Sequence, residues 1–253
     1  MYMYNFKLKS QELAYDADGC RYWKPVIKDA SFTPPELAIV LVDMWDAHWA
    51  KGASRRAAEL AERVDPIVRR ARDDGIFIVH GPSDLMKFYT DSPARKRALD
   101  IDIIQPDANV EIPNYPLPTD ESGGGSDTLD DYAPNTVVWT RQSEKIYIDE
   151  DKDIITQEGD IVYSHFKKRG IKLAIYIGIH TNMCILHRSF AIKAMLRRGV
   201  KTVLVRDLTD AMYDPAKPPY VSHAEGTGLV VGFIEKFYCP TIESRELTLK
   251  SNT

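Results

Sequence analysis

A chain of 253 residues with 44% hydrophobic and 28% charged residues has ordinary globular composition. This excludes collagen-like, disordered and coiled-coil architectures as descriptions of the whole, and leaves room for a substantial core without disulfides. Thirty-three basic against thirty-seven acidic residues gives a net charge of −4 with the basic residues scattered, so nucleic acid is not an expected partner. The three cysteines, Cys20, Cys184 and Cys239, are too few and too far apart for a disulfide framework, which points to a reducing, cytoplasmic setting. The opening MYMYNFKLKS lacks the pattern of a signal peptide, and no apolar run approaches the ~20 residues of a membrane span.

In chain order, residues 1–35 mix aromatic and polar positions and read as a short hairpin or an arm. From there short apolar runs alternate with longer amphipathic stretches, the pattern of βαβ units around a parallel sheet. The runs are 38–42 (AIVLV), 76–79 (IFIV), 136–139 (TVVW), 173–179 (LAIYIGI) and 202–205 (TVLV). Between them, 53–72 carries Ala57, Leu60, Ala61, Val64, Ile67, Val68 and Ala71 on one helical face. Helices are also expected at 160–169 and 183–198, each ending at a glycine (Gly170, Gly199) suited to a C-cap, and at 224–237. Right-handed crossovers then give a three-layer α/β/α, doubly wound, Rossmann-like sheet in the order 3-2-1-4-5. The reading is one domain over 1–253 with an N-terminal arm (1–35) and a loop insertion at 105–135. That insertion is rich in Pro, Gly, Ser and acids, and is either an ordered excursion or a mobile one.

In such sheets ligands bind beyond the carboxyl ends of the strands, and those positions are unusually polar here. The first run leads into Asp43, Trp45, Asp46, His48 and Trp49, the second into His80 and Asp84, the third into Arg141. The fourth leads into His180-Thr181-Asn182-Met183-Cys184, the fifth into Asp207 and Asp210. Cys184 follows a strand and a turn and opens a helix that Thr181 or Asn182 can cap, where the helix dipole lowers a thiol pKa. The alternative is a small buried hydrophobe. Asp43, behind five apolar residues, is expected at low dielectric with a raised pKa, suited to taking a proton from a neighbouring thiol. Its alternative is a cap or an arginine partner. His180 and His187 flank the cysteine and raise a Cys-His alternative. Trp45, Trp49 and Phe88 are candidate apolar pocket walls, and Asp207 and Asp210 read as a structural pair capping the next turn.

LVDMWDAHW, GIHTNMCILHRSFAIKAMLRRG and VLVRDLTDAM together resemble the isochorismatase-like cysteine hydrolases, which include nicotinamidases and N-carbamoyl amidases; the likeness spans roughly residues 36–237. The resemblance implies a hydrolase with an Asp-Lys-Cys triad, with the acid at Asp43 and the nucleophile at Cys184. It also implies a cis peptide at Ile179-His180, and an oxyanion hole from the amides of His180 and Cys184. The expected reaction is thioester-forming hydrolysis of a small amide or related acyl substrate. The alternatives are vinyl ether cleavage of the isochorismate type and a binding or regulatory protein without a working triad.

The family lysine follows the third strand, where this chain has Thr140 and Arg141. Lys145 is expected as the triad cation, with Arg141 ranked close to it and Lys152 behind them. Arg141, Trp45, His48, His80 and His180 are expected around the substrate. Family nicotinamidases bind a zinc-type ion through an Asp-x-His pair and a further histidine after the second strand, where this chain offers His80 and Asp84, with Asp46 and His48 elsewhere. No metal and no cofactor is therefore expected. The resemblance further implies a small-molecule substrate and a homo-oligomer, while charge balance and the lack of a long apolar run leave neither nucleic acid nor membrane as an expected partner.

Overall fold

The computed structural model describes residues 3–107 and 109–248. In chain order the elements are a hairpin of β1 (Tyr4–Tyr15) and β2 (Arg21–Phe32), then β3 (Leu37–Val42), α1 (Lys51–Asp73), β4 (Phe77–Gly81) and α2 (Pro93–Leu99). After the long excursion come β5 (Ile154–Ile155), α3 (Gly159–Arg169), β6 (Leu173–Ile179), α4 (Cys184–His187), α5 (Ile192–Arg197), β7 (Thr202–Asp210), α6 (His223–Phe237) and β8 (Thr241–Ile242). They make one eight-stranded sheet in the order β2-β1-β8-β7-β6-β3-β4-β5. The strands from β8 to β5 run parallel, and the β1–β2 hairpin joins antiparallel at the edge.

The continuous apolar strands are explained by burial on both faces. Along β3, Leu37, Ile39 and Leu41 pack with Ala57, Leu60 and Val64 of α1. Ala38, Val40 and Val42 point the other way, toward α3, α5 and α6. The result is three layers, a doubly wound α/β/α fold as expected. No described helix is long and apolar enough to cross a membrane.

Three elements differ from the sequence reading. The N-terminal arm is a long hairpin, its strands paired from Tyr4↔Phe32 to Tyr15↔Arg21. Residues 136–139 are not a strand: Val137 is exposed, while Trp139 is buried and stacks on Trp45 at 4.1 Å between centroids. Strand propensity measures fit to a pleated, half-buried surface, and this segment finds its burial in an aromatic stack instead. The third parallel strand is the two-residue β5, too short to register as an apolar run. The expected order 3-2-1-4-5 survives with β5 in the third place.

The 105–135 excursion is packed against the body. Its Asp130 accepts from the Lys51 amide (2.8 Å) and its Thr128 hydroxyl from the Gly52 amide (3.1 Å). These bonds cap α1, whose own N-cap, Ala50, offers no side-chain acceptor. Asp127 accepts both terminal nitrogens of Arg56 (2.8 and 3.1 Å).

His80, expected at the pocket, lies instead in a buried polar network under β4. Its Nδ1 pairs with Gln142 Oε1 at 3.0 Å and its Nε2 with Asp153 Oδ2 at 2.9 Å. Arg72 donates Nε and a terminal nitrogen to the same carboxylate at 2.8 and 2.7 Å. Burial pushes the Asp153 carboxyl up, but the bonds from His80 and Arg72 outweigh it and hold the group below its usual range. Its stabilisation is therefore present above the unfolded carboxyl value of about 4 and lost as the pH falls through the lower folded value. Arg72→Met, which strands a buried carboxylate, is expected to cost about 3–5 kcal/mol. Urea unfolding at neutral pH measures it.

Candidate active site

β3 and β6 are parallel neighbours in register from Leu37↔Leu173 to Val42↔Gly178, so the chains leaving them emerge side by side. Gly178 makes this possible. It has φ +126°, and a Cβ there would lie 2.2 Å from the Val42 carbonyl oxygen, an approach only glycine permits. The next residue of β3's chain, Asp43, sits at φ 48°, a left-handed conformation uncommon outside glycine and typical of functional positions. Its carboxyl is fully buried. Oδ1 accepts the Ser83 amide at 2.7 Å and Oδ2 accepts Arg188 Nε at 2.9 Å.

On the β6 side the Ile179–His180 peptide is cis. The turn beyond it is clamped to the end of β7. Thr181 and Thr209 hydroxyls meet at 2.7 Å, while Asn182 accepts from the Met212 amide and donates to its carbonyl, both at 2.9 Å. Neither residue caps α4, whose N-cap is Met183. The helix expected over 183–198 is broken: α4 is a single turn, Arg188 is extended (ψ 155°), and α5 starts at Ile192. The break lets Phe190 bury against the bare backbone of Gly81 while its carbonyl accepts the Tyr176 hydroxyl at 2.7 Å.

The Cys184 thiol lies close enough to the Asp43 carboxyl and the His180 backbone amide for both to act on its ionisation. Burial pushes the thiol pKa up, the Asp43 charge adds to this, and Arg188 with the His180 amide opposes it. A lowered thiol pKa, expected from a helix opening, is not what the site produces, because one buried helical turn cannot offset desolvation beside a carboxylate. Asp43 is likewise raised, chiefly by burial, against the pull of Arg188, Cys184 and Ser83. Arg188 also reaches Asp84 at 3.3 Å. Cys184, Asp43 and Arg188 thus form one buried acid-thiol pair with a fixed cation on it.

Above them opens a cavity of about 250 Å³, with Trp45, Trp49, Trp139, Met183 and Met212 among its walls. His48 continues the aromatic stack, 5.9 Å from Trp139 and nearly parallel to it. Its Nδ1 accepts the Ala50 amide at 3.1 Å, and burial drops its pKa to about 4. His180 meets His48 edge-on at 4.9 Å; burial, reinforced by His48, drops it to about 3. Both imidazoles are therefore neutral at pH 7, and His180 Nε2 has no partner among the described residues.

Trp45, His48 and His180 thus line the cavity. The expected cations do not: Lys145 pairs with exposed Glu62 at 2.6 Å, Arg141 with Glu144 at 2.6 Å, and Lys152 with Asp149 at 3.5 Å, all on the surface. Arg188 occupies the place at Asp43 instead. Phe88 is 57% exposed and packs on Tyr89. His187 faces a different cavity on the other side of α4. Asp207 accepts from Ser244 rather than capping its own turn, and Asp210 pairs with Arg56 and His223. Sequence reasoning missed Trp139, misplaced as a strand residue, and Arg188, although the latter's spacing four residues after Cys184 on a helical segment was a usable signal.

A metal of the nicotinamidase kind does not fit these residues. Both His80 ring nitrogens are engaged, Asp46 accepts from Thr140 and Arg141, and His48 Nδ1 is occupied. Among the described residues no group of three or more His, Cys, Asp or Glu is placed to hold an ion.

No family model and no curated protein matches the chain. Solved structures do. A cysteine hydrolase from Pseudomonas syringae pv. phaseolicola 1448A aligns with TM-score 0.53 and 16% identity, over 86% of this chain and 94% of that one. An isochorismatase from Pseudomonas putida KT2440 aligns at 0.48 and 10% identity over 85% and 91%, and a nicotinamidase from Bacillus subtilis at 0.40 and 12% over 79% and 94%. In fold this chain is similar to the Pseudomonas syringae cysteine hydrolase.

Proposed function

We propose that the protein is a cysteine hydrolase acting on a small, uncharged amide or related acyl compound. The observation that carries this is the Cys184 thiol held against the buried Asp43 carboxyl, with Arg188 bonded to that carboxyl, at the floor of an aromatic cavity.

The resting pair holds its proton on sulfur. As substrate enters, Asp43 takes that proton and the thiolate attacks the carbonyl carbon. The oxyanion is met by the backbone amides of His180 and Cys184. Collapse expels the amine or alcohol, which takes the proton back from Asp43. Water, deprotonated by Asp43, then cleaves the thioester and regenerates the thiol. Arg188 steadies the single negative charge as it passes between acid and thiol, and its high basicity keeps it from exchanging protons itself. Both pKa values are raised, so the pair favours the thiol at rest and sulfur is engaged by base assistance rather than by a standing thiolate.

The cavity favours this reading over vinyl ether cleavage of an anionic substrate. Arg188 is the one cation among the described lining residues, it is already held by Asp43 and Asp84, and the two histidines are neutral. A carboxylate entering there meets no free counter-charge. The test is hydrolysis of a panel of neutral aryl and alkyl amides and esters beside matched carboxylates. Turnover confined to the neutral set is expected; a carboxylate-only preference would overturn the reading.

Arg188→Met removes the charge that lowers both Asp43 and Cys184. The iodoacetamide alkylation profile of Cys184 is therefore expected to move to higher pH, with turnover falling about 10- to 100-fold. An unchanged profile would remove Arg188 from the scheme.

A further inference from the structure

On the far side of α4 from Cys184 lies a second cavity, about 400 Å³, walled by Tyr115, Phe233 and Tyr238. Lys193 reaches into it although only 4% exposed. Its ammonium donates to the neutral Asn114 Oδ1 at 2.5 Å and stands 5.3 Å from the Tyr238 ring centroid. Among the described residues no carboxylate pairs with it. Burial and the like charge of Arg197 both hold its pKa below the usual lysine value. A buried cation left with neutral acceptors is costly unless an anion completes it.

Two further groups serve such an anion. Thr119 Oγ1, on a residue 5% exposed, is buried in the same wall with no partner among the described residues. His187 is held below its usual pKa by burial and by Lys193 and Arg197, so it presents a neutral ring. Two acids also line the cavity, neither paired with Lys193: Asp120 accepts the Ser122 amide at 2.7 Å and Glu121 accepts the Asn182 side-chain amide at 3.3 Å.

We infer that this cavity binds a small organic anion, with a carboxylate or phosphate on Lys193 and Thr119 and a flat apolar body against Tyr115, Phe233 and Tyr238. Leu186 and His187 of α4 form one wall of this site, and Cys184 and Arg188 stand on the catalytic side of the same turn. The site is thus a neighbour of the catalytic pocket and separate from it.

Calorimetric titration of the full chain with benzoate and, separately, phenyl phosphate tests it, and comparison of the two distinguishes the headgroup. One-to-one binding of at least one probe is expected, unchanged in Cys184→Ala. At least a tenfold loss of affinity is expected in Lys193→Met and in Thr119→Val, about 1.4 kcal/mol or more. Should Lys193→Met fail to fold, the near-isosteric Thr119→Val carries the test. Absence of binding by both probes, affinity indifferent to these substitutions, or binding lost in Cys184→Ala would overturn the assignment.

Discussion

Cys184→Ala is expected to lower kcat against a neutral amide or ester substrate by about 10⁴-fold or more, because it removes the atom that forms the covalent intermediate. Cys184 is half of a desolvated pair rather than a packing keystone, so the fold is expected to survive. Truncation also removes the thiol that Asp43 raises, and takes from Asp43 one of the contacts that lower it. Circular dichroism and a melting curve beside steady-state kinetics separate lost chemistry from lost structure. A variant that folds and still turns over substrate at a tenth of the parent rate would contradict nucleophilic catalysis at this position.

The second large effect concerns Asp43. Asp43→Asn keeps the shape and an acceptor for the Ser83 amide but removes the base, and a loss of about 10³-fold in kcat/KM is expected. Stability is expected to move the other way. A carboxyl whose folded pKa is raised binds its proton more tightly in the folded state than in the unfolded one. Its ionisation therefore costs stability as the pH climbs from the unfolded value of about 4 through the folded one. At pH 7 the asparagine variant is expected to melt no lower than the parent, and its relative advantage is expected to shrink toward pH 4. A less stable variant at neutral pH, with the difference growing there, would mean that the Arg188 pair outweighs burial. A residue that lowers stability while enabling turnover is what a site under functional constraint looks like.

The residues that carry the sheet were legible because each has a local signature. LAIVLV and LAIYIGI are too apolar for a half-exposed strand, and α1 shows its buried stripe in the spacing of Ala57, Leu60, Ala61, Val64 and Val68. Adjacency of β3 and β6, and hence the meeting of Asp43 with Cys184, followed from the winding rule and from no single residue. What was hidden depends on contacts distant in sequence. Ile154–Ile155 is a strand only because Val79 and His80 stand beside it. Trp139 reads as strand by type and belongs to the cavity by its stack on Trp45. The caps of α1 come from Thr128 and Asp130, some 80 positions on, which no local capping rule anticipates.

The cation was missed for a related reason. Reasoning from the position after the third strand led to Arg141 and Lys145, but that strand was itself misplaced, and the surface partners Glu144 and Glu62 hold both. Arg188 becomes available because the helix after Cys184 stops after one turn, a break set by Phe190 seeking the bare face of Gly81. His80 shows the converse error. Its place after an apolar run suggested a pocket residue, whereas Arg72 and Asp153, remote in sequence, draw it into a structural network.

The proposed mechanism requires sulfur to form a bond to the substrate's acyl carbon. Intact-protein mass spectrometry after rapid acid quench of a reaction with an activated neutral ester, followed by peptide mapping, reads this directly. The expected result is a transient mass increase equal to the acyl group, localised to Cys184, and formed more slowly in Asp43→Asn. A reaction that proceeds at full rate with no acyl adduct at any quench time, or with the adduct on another residue, would contradict it.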